Sequence, residues 1–162
     1  MARGVREYPL IQGQATSWAE VVPSLQIHGG AAFKTSDFSE FSWSDTLTPG
    51  DVQGTGPHKV ARTVGMYECE GQMAMYYAKS VAFEAALAAV NPKIGLAKFD
   101  LVISWEPLDV ETGSGTGQVF TVKLVACRIS SRQISTAPGP DALVKTYPLS
   151  MLRIEDNGRC LV

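Results

Sequence analysis

The sequence predicts a mainly β protein, a small β-barrel or sandwich with one helix packed on its flank and long loops. Three observations carry that reading. Glycine and proline clusters cut the chain into short segments, most of them alternating or rich in β-branched and aromatic residues. Clean period-two alternation runs through residues 64–76 and 96–105. One segment, 76–90, changes to an alanine-rich helical composition. The chain of 162 residues can close one core but not two ordinary ones, so 1–162 is read as a single domain.

Taken in order, residues 18–27 ("WAEVVPSLQI") form the first expected strand, in which Pro23 requires an edge or a bulge because it cannot donate to a ladder. "HGGAAF" is a turn. Residues 33–43 place Phe33, Phe38, Phe41 and Trp43 among Ser, Thr and Asp, which predicts an irregular second strand. Residues 44–62 are then a long loop. From Val64 onward, Tyr67, Cys69, Met73 and Met75 share one face while Glu68, Glu70 and Gln72 share the other, so one face is buried and one is wet.

Along the helix, Val81, Ala85, Leu87 and Ala88 form the expected apolar stripe, and Asn91-Pro92 ends the element. Residues 96–105 and 118–129 read as a hairpin with a long tip, "EPLDVETGSGTG"; Phe120, Val122, Leu124 and Ala126 share a face in its second strand. A loop over 130–142 leads to a last strand at 143–154 and an "EDNG" turn.

Composition removes several function classes. Hydrophobic residues at 45% and charged residues at 19% exclude a disordered chain or a coiled coil. A net charge of -2 gives no basic footprint for stable nucleic-acid binding. No stretch approaches the roughly 18 apolar residues of a membrane helix, and "MARGVREYPLIQGQ" lacks a signal peptide's apolar region, so the chain is read as soluble and made in a cytosol. Cys69, Cys127 and Cys160 are odd in number and far apart, and are read as buried free thiols. His28 and His58 have no HxxxH or CxxC companion, so they are read as surface histidines and no metal or cofactor is expected.

The glycine stretch Gly50 to Lys59 has the spaced glycines and following lysine of a phosphate loop, but Pro57 removes an amide, Val60 follows the lysine, and a strand comes next. It is read as a permissive loop. Glu68 and Glu70 share one wet environment, which cannot separate their pKa values into an acid and a base. No GxSxG or SxxK context accompanies the serines, so no enzyme is expected.

The order "LIQGQATSWAEV", "FSWSDTLTPGDVQGTGPHKVARTVGMYECEGQMAMY", an alanine-rich helix, "KFDLVISW", "VACRISS" and "APGPDALVKTYPLSMLRIEDNG" resembles the tail tube proteins of long-tailed bacteriophages over nearly the whole chain. The resemblance implies a tail tube fold, related to the tubes of contractile injection systems and type VI secretion, with an N-terminal arm at about 1–15 and a contact loop at about 44–62. It implies hexameric rings stacked into a hollow tube that conducts DNA into the host. Expected partners are further copies of the chain, the tape measure protein and viral DNA in the lumen, tail terminator and baseplate or tip proteins, and a sheath protein if the tail contracts. The expected location is the virion tail, assembled in the host cytoplasm, with no membrane partner. Glu68, Glu70 and Gln72 are the lumen candidates, with the outer wall or a subunit interface as the competing assignment. Asp45, Thr48, Asp51, Gln53 and Thr55 are the candidates for contacts between rings. The tube of a phage-derived injection machine, or a ring-forming tail-completion or baseplate protein, are the alternative readings.

Overall fold

A computed structural model of the chain describes residues 14–15, 21–30, 32–33, 38–109, 117–135 and 142–161. In chain order its elements are β1 (Gln14–Ala15), β2 (Val21–Ile27), β3 (Ala32–Phe33), β4 (Phe38–Thr48), β5 (Asp51–Gln53), β6 (Lys59–Arg62) and β7 (Met66–Tyr76). Then come α1 (Tyr77–Val90), a 3-10 turn at Ile94–Leu96, β8 (Phe99–Trp105), β9 (Leu108–Asp109), β10 (Phe120–Ile129), β11 (Gln133–Ser135), β12 (Val144–Ser150) and β13 (Arg153–Asp156). The main sheet is antiparallel in the order β3-β2-β8-β10-β12-β7-β4, with β11 beside β12 and β13 beside β10. The mainly β class with one flanking helix is what the alternation predicts.

Alternation builds the core. Leu25 and Ile27 of β2, Phe99, Leu101 and Ile103 of β8, Val122 and Leu124 of β10, Met73 and Met75 of β7, and Tyr147 and Leu149 of β12 all turn inward and are buried. Removing each such side chain from water contributes about 1.5–3 kcal/mol. Pro23 lies where β2 has β8 on one side and, among the described residues, no partner on the other, because β3 pairs only with Leu25 and Gln26. That is the edge placement a proline within a strand requires.

Four expectations change. Residues 44–62 are not a long loop: β4 continues to Thr48, paired with Met66 to Glu70 of β7, and β5 and β6 form a hairpin beyond it. Backbone pairing with the eleven-residue β7 extends this strand, and its side chains are polar, so hydrophobic periodicity did not mark it. The helix buries Ser80, Phe83 and Leu87, whereas Val81, Ala85 and Ala88 are exposed. In a helix apolar on every side, the largest side chain decides which face docks, and Phe83 meets Phe33, Phe99 and Tyr147 edge-on at 5.5–5.7 Å between ring centres.

In β10, Ala126 does not continue the Val122 and Leu124 face. It has φ of 54°, the register with β8 shifts between Leu124 and Cys127, and inward burial resumes at Cys127 and Ile129. This bulge inserts one residue and turns the strand from β8 and β13 toward β12. Asp100 holds it by accepting the Ala126 amide N–H at 2.9 Å. Finally, residues 143–154 are two strands, β12 and the start of β13, separated at Met151–Leu152, and residues 130–142 contain β11. The N-terminal arm falls outside the described residues except for Gln14–Ala15, which pair with β9.

Candidate functional site

A continuous polar surface lies on the outward face of β4, β7 and β12. Met73 and Met75 point inward, so Glu68, Glu70 and Gln72 point outward; Glu68 and Glu70 are exposed and Gln72 is half-buried. Register places Thr46 opposite Glu68, Ser44 and Ser150 on either side of Glu70, and Ser42 and Pro148 on either side of Gln72. Residues directly opposite on neighbouring strands project to the same side, so two carboxylates sit in a field of hydroxyls. Two adjoining shallow hollows follow this face, of about 600 and 520 Å³. The structure therefore brings together the three predicted lumen candidates, and adds Ser44 and Thr46, which the sequence placed in a loop, and Ser42 and Ser150, whose register against β7 alternation alone does not give.

Gly71 shapes the middle of this strand. A Cβ there would stand 2.9 Å from the Ser42 carbonyl oxygen and 2.8 Å from Met151, so only glycine lets β4 and Met151 come this close. At the inner margin, the Tyr67 hydroxyl donates to Asp45 Oδ2 at 3.3 Å and accepts the Ile154 N–H at 3.2 Å. Burial pushes the Tyr67 hydroxyl up despite that amide, and the charges of Cys69 and Asp45 push it further. Burial likewise raises the Cys69 thiol, whose S–H donates to the Met151 carbonyl at 3.2 Å. Burial raises Cys127 to about 12. Both thiols stay protonated at neutral pH and are poor nucleophiles. Of the three cysteines read as buried thiols, Cys127 is buried, Cys69 is half-buried and Cys160 is exposed.

The predicted contact residues are spread along the arm. Asp45 is half-buried in β4, Thr48 is exposed at its end, Asp51 and Gln53 lie in β5, and Thr55 stands exposed between β5 and β6. Lys59 is turned back onto Asp51, with Arg62 Nε 3.4 Å from the same carboxylate. The lysine that gives this stretch a phosphate-loop look is thus spent within the hairpin. At the root, Thr63 N–H donates to the Gly50 carbonyl at 2.8 Å, and Gly65 adopts φ of 87° where a Cβ would fall 2.0 Å from the Thr48 oxygen. Val52 and Val60 are exposed on the arm.

Two further clusters are structural. Lys145 is buried and ion-paired with Glu84 of α1; Glu84 also accepts the Tyr147 hydroxyl at 2.9 Å and lies 3.3 Å from Arg132. Burial works to raise the Glu84 carboxyl, but hydrogen bonds from Lys145 and Tyr147 with the charges of Lys145 and Arg132 outweigh it and hold it below its ordinary value. His28 Nε2 lies 3.0 Å from Asp100 Oδ2. Among the described residues no three His, Cys, Asp or Glu side chains gather as a metal site, and no helix is long and apolar enough to cross a membrane.

No protein-family model and no curated protein matches this sequence. Solved structures do. The tail tube of SPP1 superposes with a TM-score of 0.58 at 14% identity, over 86% of this chain and 77% of that one. The chain has the tail tube fold. A chain of the sheath-tube complex of an extracellular contractile injection system (PVC) in its extended state gives a TM-score of 0.56 at 15% identity, over 92% of this chain and 91% of that one. A chain of the anti-feeding prophage baseplate gives 0.55 at 12%, over 86% and 93%. At these identities the tail tube fold is what is shared, and the side chains of the polar face belong to this sequence.

Proposed function

We propose that the chain is a structural tube subunit, six copies of which close a ring whose rings stack into a phage tail tube that conducts DNA. The observation that carries the reading is the face of Glu68, Glu70 and Gln72 among hydroxyls, presented by a tail tube fold whose sheet ends in β4 on one side and the two-residue β3 on the other, so that among the described residues β4 and most of β2 keep an open edge. A sheet edge is a template for another chain, and a closed ring satisfies it without unlimited growth. With about four strands from each of six copies at roughly 4.8 Å spacing and a tilt of about 40°, the barrel is about 50 Å across between backbones. A duplex fits after side chains are subtracted.

Lining that bore is the role we assign to Glu68, Glu70 and Gln72, because an acidic and hydroxylated wall does not grip phosphates as a cationic one does. Asp45, Thr48, Asp51, Gln53 and Thr55, on or beside an exposed arm, are assigned to contacts between rings. The tape measure protein and DNA would occupy the bore, with terminator and baseplate proteins at the tube ends; the assembly belongs to the virion tail. A second reading, the tube of a contractile injection system, is favoured by the mutual coverage with the PVC complex chain. Negative-stain microscopy of the purified protein tests the common part: rings or tubes are expected, and dispersed monomers at high concentration contradict it.

A further inference from the structure

The polar face does not end in acid. Register carries one row across it: Ser44 of β4, Glu70 of β7, Ser150 of β12 and Arg128 of β10. Phe99 pairs with Cys127, so one step further along the same register Lys98 falls opposite Arg128. The bulge at Ala126 makes this possible, because uninterrupted alternation from Val122 and Leu124 would turn Arg128 into the core.

Arg128, Lys98 and Ser150 surround a recess of about 180 Å³, walled by Ala126, Met151 and Leu152. Arg128 is half-buried, and neither cation enters an ion pair among the described residues. Asp100, the carboxylate next to Lys98 along the face, is engaged at both oxygens, one by the Ala126 amide and one by His28. Glu70 stands two strands from Arg128, about 10 Å between backbones, and no ion pair joins the two side chains. Two cations and a hydroxyl thus converge on one hollow with no carboxylate committed to them, beside apolar walls that strengthen their field.

We propose that Arg128, Lys98 and Ser150 form a binding site for a phosphate oxyanion. The guanidinium offers a planar fork, the ammonium a point charge and the hydroxyl a further donor, which matches a tetrahedral anion with several acceptor oxygens. The site lies within one chain and requires no neighbour. Its net charge differs from that of the whole chain, so it holds phosphate groups locally without making the protein a general nucleic-acid binder. If the face lines a bore, each subunit contributes one station that holds a passing strand back against an otherwise acidic wall. The phosphate comes either from a phosphodiester backbone or from free phosphate.

The test uses the purified protein and two probes, inorganic phosphate followed by 31P relaxation and a short DNA duplex followed by fluorescence anisotropy. Arg128→Gln and Lys98→Gln are each expected to weaken phosphate binding by about tenfold, the loss of one charge-assisted hydrogen bond. Lys93→Gln, which removes the same charge from an exposed loop, should change nothing. Binding of both probes assigns the site to phosphodiesters, and binding of inorganic phosphate alone assigns it to the free ion. Equal losses in Lys93→Gln and Arg128→Gln overturn the site, as does acetate competing as well as phosphate, which would assign the cations to a neighbouring subunit's carboxylate. These outcomes do not depend on assembly, so they are separable from the tube reading.

Discussion

Lys145 is the one buried charged side chain among the described residues, and Glu84 reaches it from the helix. Removing one partner of such a pair strands the other charge in a poor solvent, whereas removing both is tolerated. Glu84→Gln is expected to lower unfolding free energy in urea by about 3–5 kcal/mol, with Glu84→Gln/Lys145→Met recovering much of it. The Glu84 and Asp100 carboxyls both titrate below their ordinary values in the folded chain. The stability they supply is therefore complete above about pH 4–5, where the unfolded chain ionises. It is lost as pH falls through the lowered folded values. Urea midpoints should stay level from pH 7 to about 5 and drop below about 4; in Glu84→Gln the acid drop should be smaller. None of these pairings was legible in the sequence, because Glu84 and Lys145 are remote in the chain and nothing local marks a buried lysine. Glu68, Glu70 and Gln72, by contrast, were legible as one face because three consecutive even positions suffice to define it.

At the scale of elements, the helix separates what composition can say from what packing decides. Its existence and limits were legible from the alanine run and Asn91-Pro92; its orientation was not, because apolar residues surround it. Phe83→Ala should cost about 3–5 kcal/mol, since the ring is fully buried among three other rings. Ala85→Asp should change the isolated chain by less than about 1 kcal/mol, because that position is exposed. Thermal denaturation of both variants checks the assignment, and the reverse order of effects would restore the stripe read from sequence. The arm behaves differently again. Its glycines announced a turn-rich segment, but the β5–β6 hairpin is held by its own ion pairs and by the Gly50–Thr63 root. Deleting residues 51–55 should leave far-UV circular dichroism close to that of the intact chain while stopping growth into tubes. Normal tubes would remove the arm from ring-to-ring contacts.

For the whole molecule, class and helix count were legible because period-two alternation survives any particular topology. The corner in β10 was not, since a bulge is set by backbone geometry at Ala126 and by Asp100 across the sheet. That corner decides which charges share the polar face, and so decides how a bore would treat DNA. Changing Glu68 and Glu70 to lysine would shift a six-membered ring by about twenty-four charges while leaving the core untouched. DNA ejection from virions carrying the variant should slow at low salt and recover as salt rises, because counterion release weakens phosphate contacts. Unchanged ejection at low salt would place this face away from the channel.

The most direct measurement is a side-chain-resolution cryo-electron microscopy reconstruction of tubes assembled from the purified protein. The expected result is stacked six-membered rings with Glu68, Glu70 and Gln72 toward the bore and the 51–62 arm at the contact between rings. Tubes with that face on the outer wall, or a protein that stays monomeric, would contradict it.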